Sequence, residues 1–520
     1  MIHEESPLLS DLHASKSKNI KITKILAGLV GVFLASADKS ILLAIQGEIA
    51  SSLRSPSSAP LLLVSYNLGF CIALPVYGFL SDLYGCRRFL LSAYALFSIG
   101  CLISGLSKTI WPFVFGRLIA GIGGAGMTDL LSVLINEIFC INQVASVRSY
   151  VIGAGILGQG FGGPLGGLIA DFMGWRWSLI GQAPIGVLCL ALAHWQLPAS
   201  RKTINSETCI SLWSFDSLGL GAIFISVTSF ILATTEGGNA FPSLNRSTLL
   251  AVSCASLAAL ILIERFGTKN PIIPSSVVCA SGMGGVLFGQ VVYFASITTI
   301  LNNLSPYLSQ VDHLSNSAIS MRIGISGLGL ILGSVIAGKA LSKTVKYRKV
   351  ALIAISISIL SQFVMIVRWA NGIQGLEVHY CFPWATGSGM LLSAQFIALT
   401  ICAPEGQMAS ATAVYYLSQQ VGQIIGTSVS TAALQQLFRR RLDIDLGSIS
   451  LPRKDQLIDD IVKDYGISKN LPLAIQAVVQ SSYIEAYRLI PALAMALTVI
   501  CGAIIISSKE NPKSDGAGQE

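Results

Sequence analysis

Charge is what this chain has least of. Only 12% of its 520 residues are Asp, Glu, Lys or Arg, about half the share found in soluble domains. In their place 52% are hydrophobic, and the mean hydropathy is +0.68. A water-soluble globule is excluded, and a polytopic membrane protein is expected. The eleven cysteines are scattered singly, with no C-x-x-C pair, which argues for neither a disulfide framework nor a zinc site. The five histidines have no metal-like spacing, so no metal is expected. No G-x-x-x-x-G-K-[ST] loop is present to cradle a nucleotide phosphate, so ATP as a direct energy source is unsupported and no cofactor is expected. Residues 1–24 are polar and lack a short apolar core, so no cleaved signal peptide is expected. The net charge of +8 is spread over loops, which reads as membrane topology and not as a nucleic-acid surface.

Long hydrophobic runs are present in number. Apolar stretches fall at about 25–46, 60–80, 89–108, 111–132, 149–170, 176–197, 215–235, 247–264, 283–304, 318–338, 350–368, 380–402, 412–437 and 489–508. Each is near the ~20 residues a bilayer-spanning helix needs, and an even count of fourteen returns both tails to one side. Fifty glycines suit close helix–helix approach in lipid. Lys16, Lys18, Lys21 and Lys24 close the N-terminal tail, which places it in the cytosol. On that topology eighteen lysines and arginines fall in tails and short loops inside, against six outside. Arg439, Arg440 and Arg441 open the stretch 438–488, expected as a long non-cytosolic loop that escapes the charge rule. Asn245 and Asn303 head sequons in loops expected outside, Asn303 close to the bilayer.

These runs divide the chain. A cytosolic tail 1–24 precedes a six-helix bundle 25–198. A connector 199–276 carries two extra helices, a second six-helix bundle spans 277–508, and a cytosolic tail 509–520 follows. No strong sequence repeat joins the bundles. In the first tail, Glu4 stands four residues before Leu8-Leu9, which resembles an acidic dileucine sorting signal read by adaptor complexes. A chance match in a polar tail is the alternative.

Four motifs stand out. Gly78-x3-Asp82-x2-Gly85-x-Arg87-Arg88 lies in the hairpin between the second and third spans. Gly116-Arg117-Leu118-Ile119-Ala120-Gly121-Ile122-Gly123 lies in the fourth. Gly158-x-Gly160-x-Gly162-Gly163-Pro164-Leu165-Gly166-Gly167 lies in the fifth, and Ala37-Asp38 in the first. Together they resemble the major facilitator superfamily, specifically the fungal fourteen-helix drug:proton antiporter branch, over Leu34 to about Ile506. The resemblance implies the major facilitator fold, two six-helix bundles plus an extra helix pair. Cys86 stands where the family usually has a basic residue.

The residues also carry physical readings of their own. In the hairpin, Gly78 and Gly85 permit a tight turn, and Asp82 beside Arg87 and Arg88 can act as a gate latch or as a plain charged turn. The fifth-span run Gly158, Gly162, Gly163, Pro164, Gly166, Gly167 is a poor helix interior by propensity and lets helices approach and bend, with or without a role in coupling. Ionisable groups inside spans are costly and mark function, which singles out Asp38, Arg117 and Asp129. Counting 1.5 Å per residue puts Asp38 and Arg117 at about the same depth, ~20 Å from the cytosolic face. They are expected to share the central cavity, where Arg117 favours the carboxylate and low dielectric favours the neutral acid. A proton-exchanging pair and a permanent structural ion pair are the two readings. Lys39 need not pair with Asp38, and its charge opposes a cationic substrate. Tyr66, Asn67, Gln290 and Gln395 are candidate cavity liners or interhelical glue.

The expected function is therefore proton-coupled secondary transport by alternating access, with a proton gradient as the energy source and a small-molecule substrate. The first six spans and Ala233-Thr234-Thr235-Glu236-Gly237-Gly238-Asn239 look most similar to fungal vacuolar basic amino acid transporters and multidrug-resistance relatives. That implies basic amino acid import at the vacuole membrane, ahead of drug or toxin efflux at the plasma membrane. A non-transporting nutrient receptor is the reading of another class.

Overall fold

The structure, a computed structural model, describes residues 25–53, 59–139, 141–196, 216–234, 245–266, 275–311, 316–344, 347–369, 372–373, 375–404, 407–446, 454–463 and 471–507. Among them every regular element is a helix, as a chain in hydrocarbon requires if each backbone group is to be satisfied within its own segment. The first half comprises α1 (Leu26–Ser52), α2 (Ala59–Tyr84), α3 (Cys86–Leu106), α4 (Ile110–Ile138), α5 (Ile141–Met173), α6 (Trp175–Ile180) and α7 (Gln182–Gln196). Next come α8 (Ser217–Thr234), α9 (Arg246–Phe266) and the short α10 (Ser275–Val278). The second half holds α11 (Met283–Gln310), α12 (Asn316–Thr344), α13 (Tyr347–Arg368), α14 (Cys381–Cys402), α15 (Met408–Asp445), α16 (Lys454–Lys463), α17 (Leu473–Tyr487) and α18 (Leu489–Ser507).

Each of the fourteen apolar stretches falls on a helix, with α6 and α7 sharing one. By length and composition ten described segments are apolar enough to cross a membrane; the count of fourteen is finer than that criterion supports. Glycines and glutamines dilute the hydropathy of α5 and α15. The loop expected over 438–488 is largely helical where described. α15 runs on to Asp445, and α17 nearly joins α18. Their projecting ends meet around Tyr307, with Tyr487 at 4.4 Å and Tyr483 at 6.2 Å between ring centroids, and with Phe438 5.1 Å from Tyr483. Arg439 pairs with Asp459 at 2.8 Å and Arg441 with Glu485 at 3.0 Å. Both arginines are at least half exposed, and carboxylates from the next two helices meet them at the surface. A hydrogen bond from Lys454 and the charge of its ammonium hold the Asp443 carboxyl below the usual carboxylate range.

The extra pair, α8 and α9, is bound by reciprocal serines, Ser226 Oγ donating to Ser253 O and Ser253 Oγ to Ser226 O. Small residues set the rest of the packing. A Cβ on Gly158 would overlap the Phe33 carbonyl, and one on Gly162 would lie 2.7 Å from the Ala37 Cα, so α1 and α5 touch backbone to backbone. In the second half Gly422 and Gly426 of α15 meet Val291 and Ala295 of α11 in the same four-residue rhythm. Likewise Gly69 abuts Leu118 while Gly121 abuts Tyr66, and Gly333 abuts Thr386 while Gly389 abuts Leu330. Both crossings use three-residue offsets on both helices. The repeat invisible in side-chain identity survives as the places where two backbones touch.

Candidate functional site

Asp38 and Arg117 meet in the interior of the first half. Arg117 Nη1 and Nη2 donate to the Asp38 Oδ1 and Oδ2 at 2.9 and 2.6 Å, a bidentate pair with both side chains 0% exposed. The pair is therefore shut inside the bundle and does not line an open cavity as expected. Residue 38 faces α4 and α7, while Lys39, about 100° round the helix, packs on Phe70 and Tyr66 of α2. Breaking such a buried pair by removing one member costs about 3–5 kcal/mol, because the other charge is left bare.

Glycines make the meeting possible. Gly158, Gly162 and Gly166 bring α5 onto the Phe33, Ala37 and Ile41 stripe of α1, and the Gly163 N–H donates to Ser40 Oγ at 3.0 Å. Pro164 removes one backbone donor from this part of α5. Gly160 and Gly167 have nothing within 4 Å of a would-be Cβ, so the motif contains two kinds of glycine. On α4, Gly121 and Gly124 make room for the Tyr66 backbone and hydroxyl. Tyr66 then lies with its ring 4.8 Å from the Arg117 guanidinium carbon and its hydroxyl 3.5 Å from the Ala35 carbonyl.

Two residues complete the site. Gln182 was not among the expected site residues. Its Nε2 donates to Asp38 Oδ1 at 3.2 Å and to the Ser178 carbonyl at 2.9 Å, and its place in a mid-membrane apolar run was the signal available. Lys39 is half-buried, with Nζ 4.1 Å from the Phe70 ring centroid and 5.4 Å from that of Tyr66. In sum the centre holds one carboxylate and two cations.

The other expected liners lie elsewhere. Asp129 is buried on α4, twelve residues past Arg117 and so ~18 Å further along the helix. Asn67 is half-buried beside Tyr66. Gln290 is buried on α11, and Gln395 borders a cleft inside the second half formed with Gly285, Val286, Tyr347 and Ala351. By the glycine correspondence, residues 296 and 385 occupy the places of 38 and 117. They are Ser296 and Ala385. Ser296 joins a neutral cluster, donating to the Ala494 carbonyl at 2.8 Å and receiving a bond from Gln362 Nε2 at 3.2 Å. The acid and the arginine belong to one half only.

In the hairpin, Gly85 has φ 86° and turns α2 directly into α3. Gly78 is buried and accepts from Ser81 Oγ at 3.1 Å. Arg87 Nη2 caps the end of α7 at the His194 carbonyl at 2.6 Å, and Arg88 is exposed. Cys86 is buried against Val133, so packing on α4 takes the place of a charge contact. The Asp82 side chain lies outside the described residues, as do Glu4, Leu8 and Leu9. Asn245 is exposed at the start of α9. Asn303 is 2% exposed and donates to Thr299 O and Ser430 Oγ, both at 2.8 Å, which removes it as a glycan acceptor.

The two halves meet unevenly. At the hairpin end, Ile25, Val32, Leu131, Ile135, Val144 and Val147 share one apolar cluster with second-half residues, and Ser132 Oγ and Tyr416 Oη are bonded at 2.7 Å. At the opposite end Ile41, Ile45, Leu62, Phe113 and Trp175 cluster with first-half residues alone. The molecule is closed at the hairpin end.

Comparison with known proteins gives consistent results. Residues 28–427 match the family described as Major Facilitator Superfamily. The "Multidrug resistance protein fnx1" of Schizosaccharomyces pombe is 27% identical over 493 residues, 93% of this chain and 92% of that protein. The "Vacuolar membrane amino acid uptake transporter fnx2" of the same yeast is 26% identical, over 88% of this chain and 79% of that one. "Vacuolar basic amino acid transporter 2" of Saccharomyces cerevisiae is 26% identical, over 70% and 79%. Among solved structures, the proton:xylose symporter XylE bound to 6-bromo-6-deoxy-D-glucose superposes with a TM-score of 0.59 at 14% identity, over 91% of this chain and 94% of that one.

Proposed function

The chain belongs to the Major Facilitator Superfamily, and from that premise we propose that it is a proton-coupled antiporter carrying basic amino acids from cytosol to vacuole. A multi-pass membrane transporter, and not an enzyme, is what family and fold establish. Proton coupling rests on one observation, the fully buried Asp38–Arg117 pair in mid-span. The carboxylate accepts three hydrogen bonds, two from Arg117 and one from Gln182. A proton binding to Asp38 removes the negative charge that these donors face, weakening all three bonds, and leaves Arg117 without its counter-charge. Protonation is thereby tied to a relative movement of α1, α4 and α7, which is the link a coupled carrier needs. The second half offers only neutral groups at the matching place, so this reading assigns one coupling acid to each molecule.

The substrate class and the vacuole rest on the relatives named for amino acid uptake at the vacuolar membrane. A second reading, drug or toxin efflux at the plasma membrane, is favoured by the relative named for multidrug resistance. Proton direction suits both. Vacuolar membrane vesicles energised by ATP, from cells with and without the protein, separate them. Protein-dependent uptake of labelled arginine, lysine or histidine is expected, and it is expected to collapse with a protonophore and with Asp38→Asn. No uptake by vesicles that contain the protein refutes the substrate assignment and brings drugs and toxins forward. Uphill accumulation that survives Asp38→Asn refutes the role given to Asp38.

A further inference from the structure

We infer that Lys39 is the anchor for a carboxylate on the transported solute, so that the protein selects carboxylate-bearing substrates, amino acids among them, against the corresponding amines. The inference deepens the reading above, since it takes the space between the halves as the place where substrate binds.

Three observations carry it. The first is position. Ile25, Val32 and Lys39 recur every seven residues and so lie on one face of α1. The first two are packed into the cluster shared with the second half. Lys39, ~10 Å further along, is half-buried, and Leu43, one turn beyond it, is 52% exposed. Lys39 is thus a half-buried cation one turn short of an exposed residue on the same face, on the side away from the hairpin end.

The second observation is charge. Asp38, Arg117 and Lys39 sum to −1 + 1 + 1 = +1. Arg117 already satisfies Asp38 in bidentate fashion. Among the described residues Lys39 has no ion pair, only the faces of Phe70 and Tyr66. A cation in mid-membrane is expensive, and stacking on aromatic faces offsets only part of that cost. One more anion would neutralise the centre.

The third is geometry. Lys39 Nζ has three donors and the two rings occupy one side of it, which leaves donors for an incoming carboxylate. Tyr66 is shared, since its ring also faces Arg117 at 4.8 Å. An anion on Lys39 therefore sits one aromatic ring away from the proton-carrying pair, close enough for its charge to bias that pair.

The test uses purified full-length protein and matched solutes that differ by one carboxylate: arginine and agmatine, lysine and cadaverine, leucine and isopentylamine. Affinity is read from protection against thermal unfolding. Each acid is expected to bind the wild type at least tenfold more tightly than its amine. Lys39→Met is expected to weaken the acids about ten- to hundredfold while leaving the amines where they were, and Lys39→Arg to retain the preference. Wild-type protein supplies a check that needs no variant: acetic anhydride labelling of Lys39, read by peptide mass, should be blocked by a bound acid and not by its amine. A preference that survives Lys39→Met, or labelling insensitive to every acid, overturns the assignment. So does a wild type that none of the acids protects. If leucine binds with this Lys39 dependence while arginine and lysine do not, the basic amino acid reading falls and the Lys39 assignment stands.

Discussion

The glycines of α5 provide the sharpest quantitative test, because the structure divides one motif into two behaviours. Consider Gly162→Ala. The new Cβ would lie 2.7 Å from the Ala37 Cα, against 3.4 Å for ordinary contact, so α1 must move by at least 3.4 − 2.7 = 0.7 Å. Because Asp38 follows Ala37 on α1, that displacement shifts the carboxylate relative to Arg117 and disturbs the 2.9 Å bond between Arg117 Nη1 and Asp38 Oδ1. Alanine improves helix propensity by about 1 kcal/mol over glycine, and overpacking costs about 1–3 kcal/mol. The net effect is a loss of up to ~2 kcal/mol for Gly162→Ala and Gly158→Ala. Gly160→Ala and Gly167→Ala meet nothing within 4 Å, keep the propensity term alone, and should be neutral or stabilising by up to ~1 kcal/mol. Thermal unfolding of the purified variants measures the ordering, and initial rates of proton-dependent uptake measure its consequence for Asp38. Uniform behaviour of all four variants, or damage confined to Gly160 and Gly167, would refute the packing argument.

Two further outcomes are expected. Ser132→Ala and Tyr416→Phe each delete the hydroxyl bond that joins the halves at the hairpin end, worth about 0.5–1.5 kcal/mol. Each should raise, severalfold, the reactivity of a cysteine introduced at Ile135 toward a thiol reagent applied from the side of the α2–α3 hairpin, and the double variant should add little. Unchanged reactivity would show that this bond does not bias the closed form. Asn245→Gln should remove a glycan visible as a mobility shift, whereas Asn303→Gln should remove none, given its burial and its two hydrogen bonds. A glycan lost with Asn303 and kept with Asn245 would contradict the fold around α11.

Much of the site was legible in the chain. An acid at 38 and an arginine at 117 stand out because, Lys39 apart, nothing else ionisable shares their depth in a background this apolar, and counting residues along two antiparallel helices predicts that they meet. Gln182 was harder to see, since one glutamine in an apolar run looks the same whether it bonds to a helix carbonyl or to a buried acid. Asp129 shows the opposite error. It has the same chemistry as Asp38 and shares a helix with Arg117, yet twelve residues of rise keep the two apart. The stretch 438–488 resisted reading because its helices are short or amphipathic and are held by apolar and aromatic contacts with other helices, such as Tyr483 and Tyr487 on Tyr307, partners that hydropathy does not reveal.

What the sequence determined alone was whatever depends on position along one helix: which segments are long and apolar enough to cross a membrane, and how far along its helix each charge lies. Rise per residue and the cost of charge in hydrocarbon settle those without reference to a neighbour. Tertiary structure decided whatever depends on rotation about the helix axis. It turned Asp38 onto Arg117 and Gln182, and Lys39, one residue on, onto the Phe70 and Tyr66 rings of α2. It sorted the glycines of α5 into those that touch backbone and those that touch nothing. It also exposed the twofold repeat, because packed helices preserve the points where backbones touch while the side chains around them diverge.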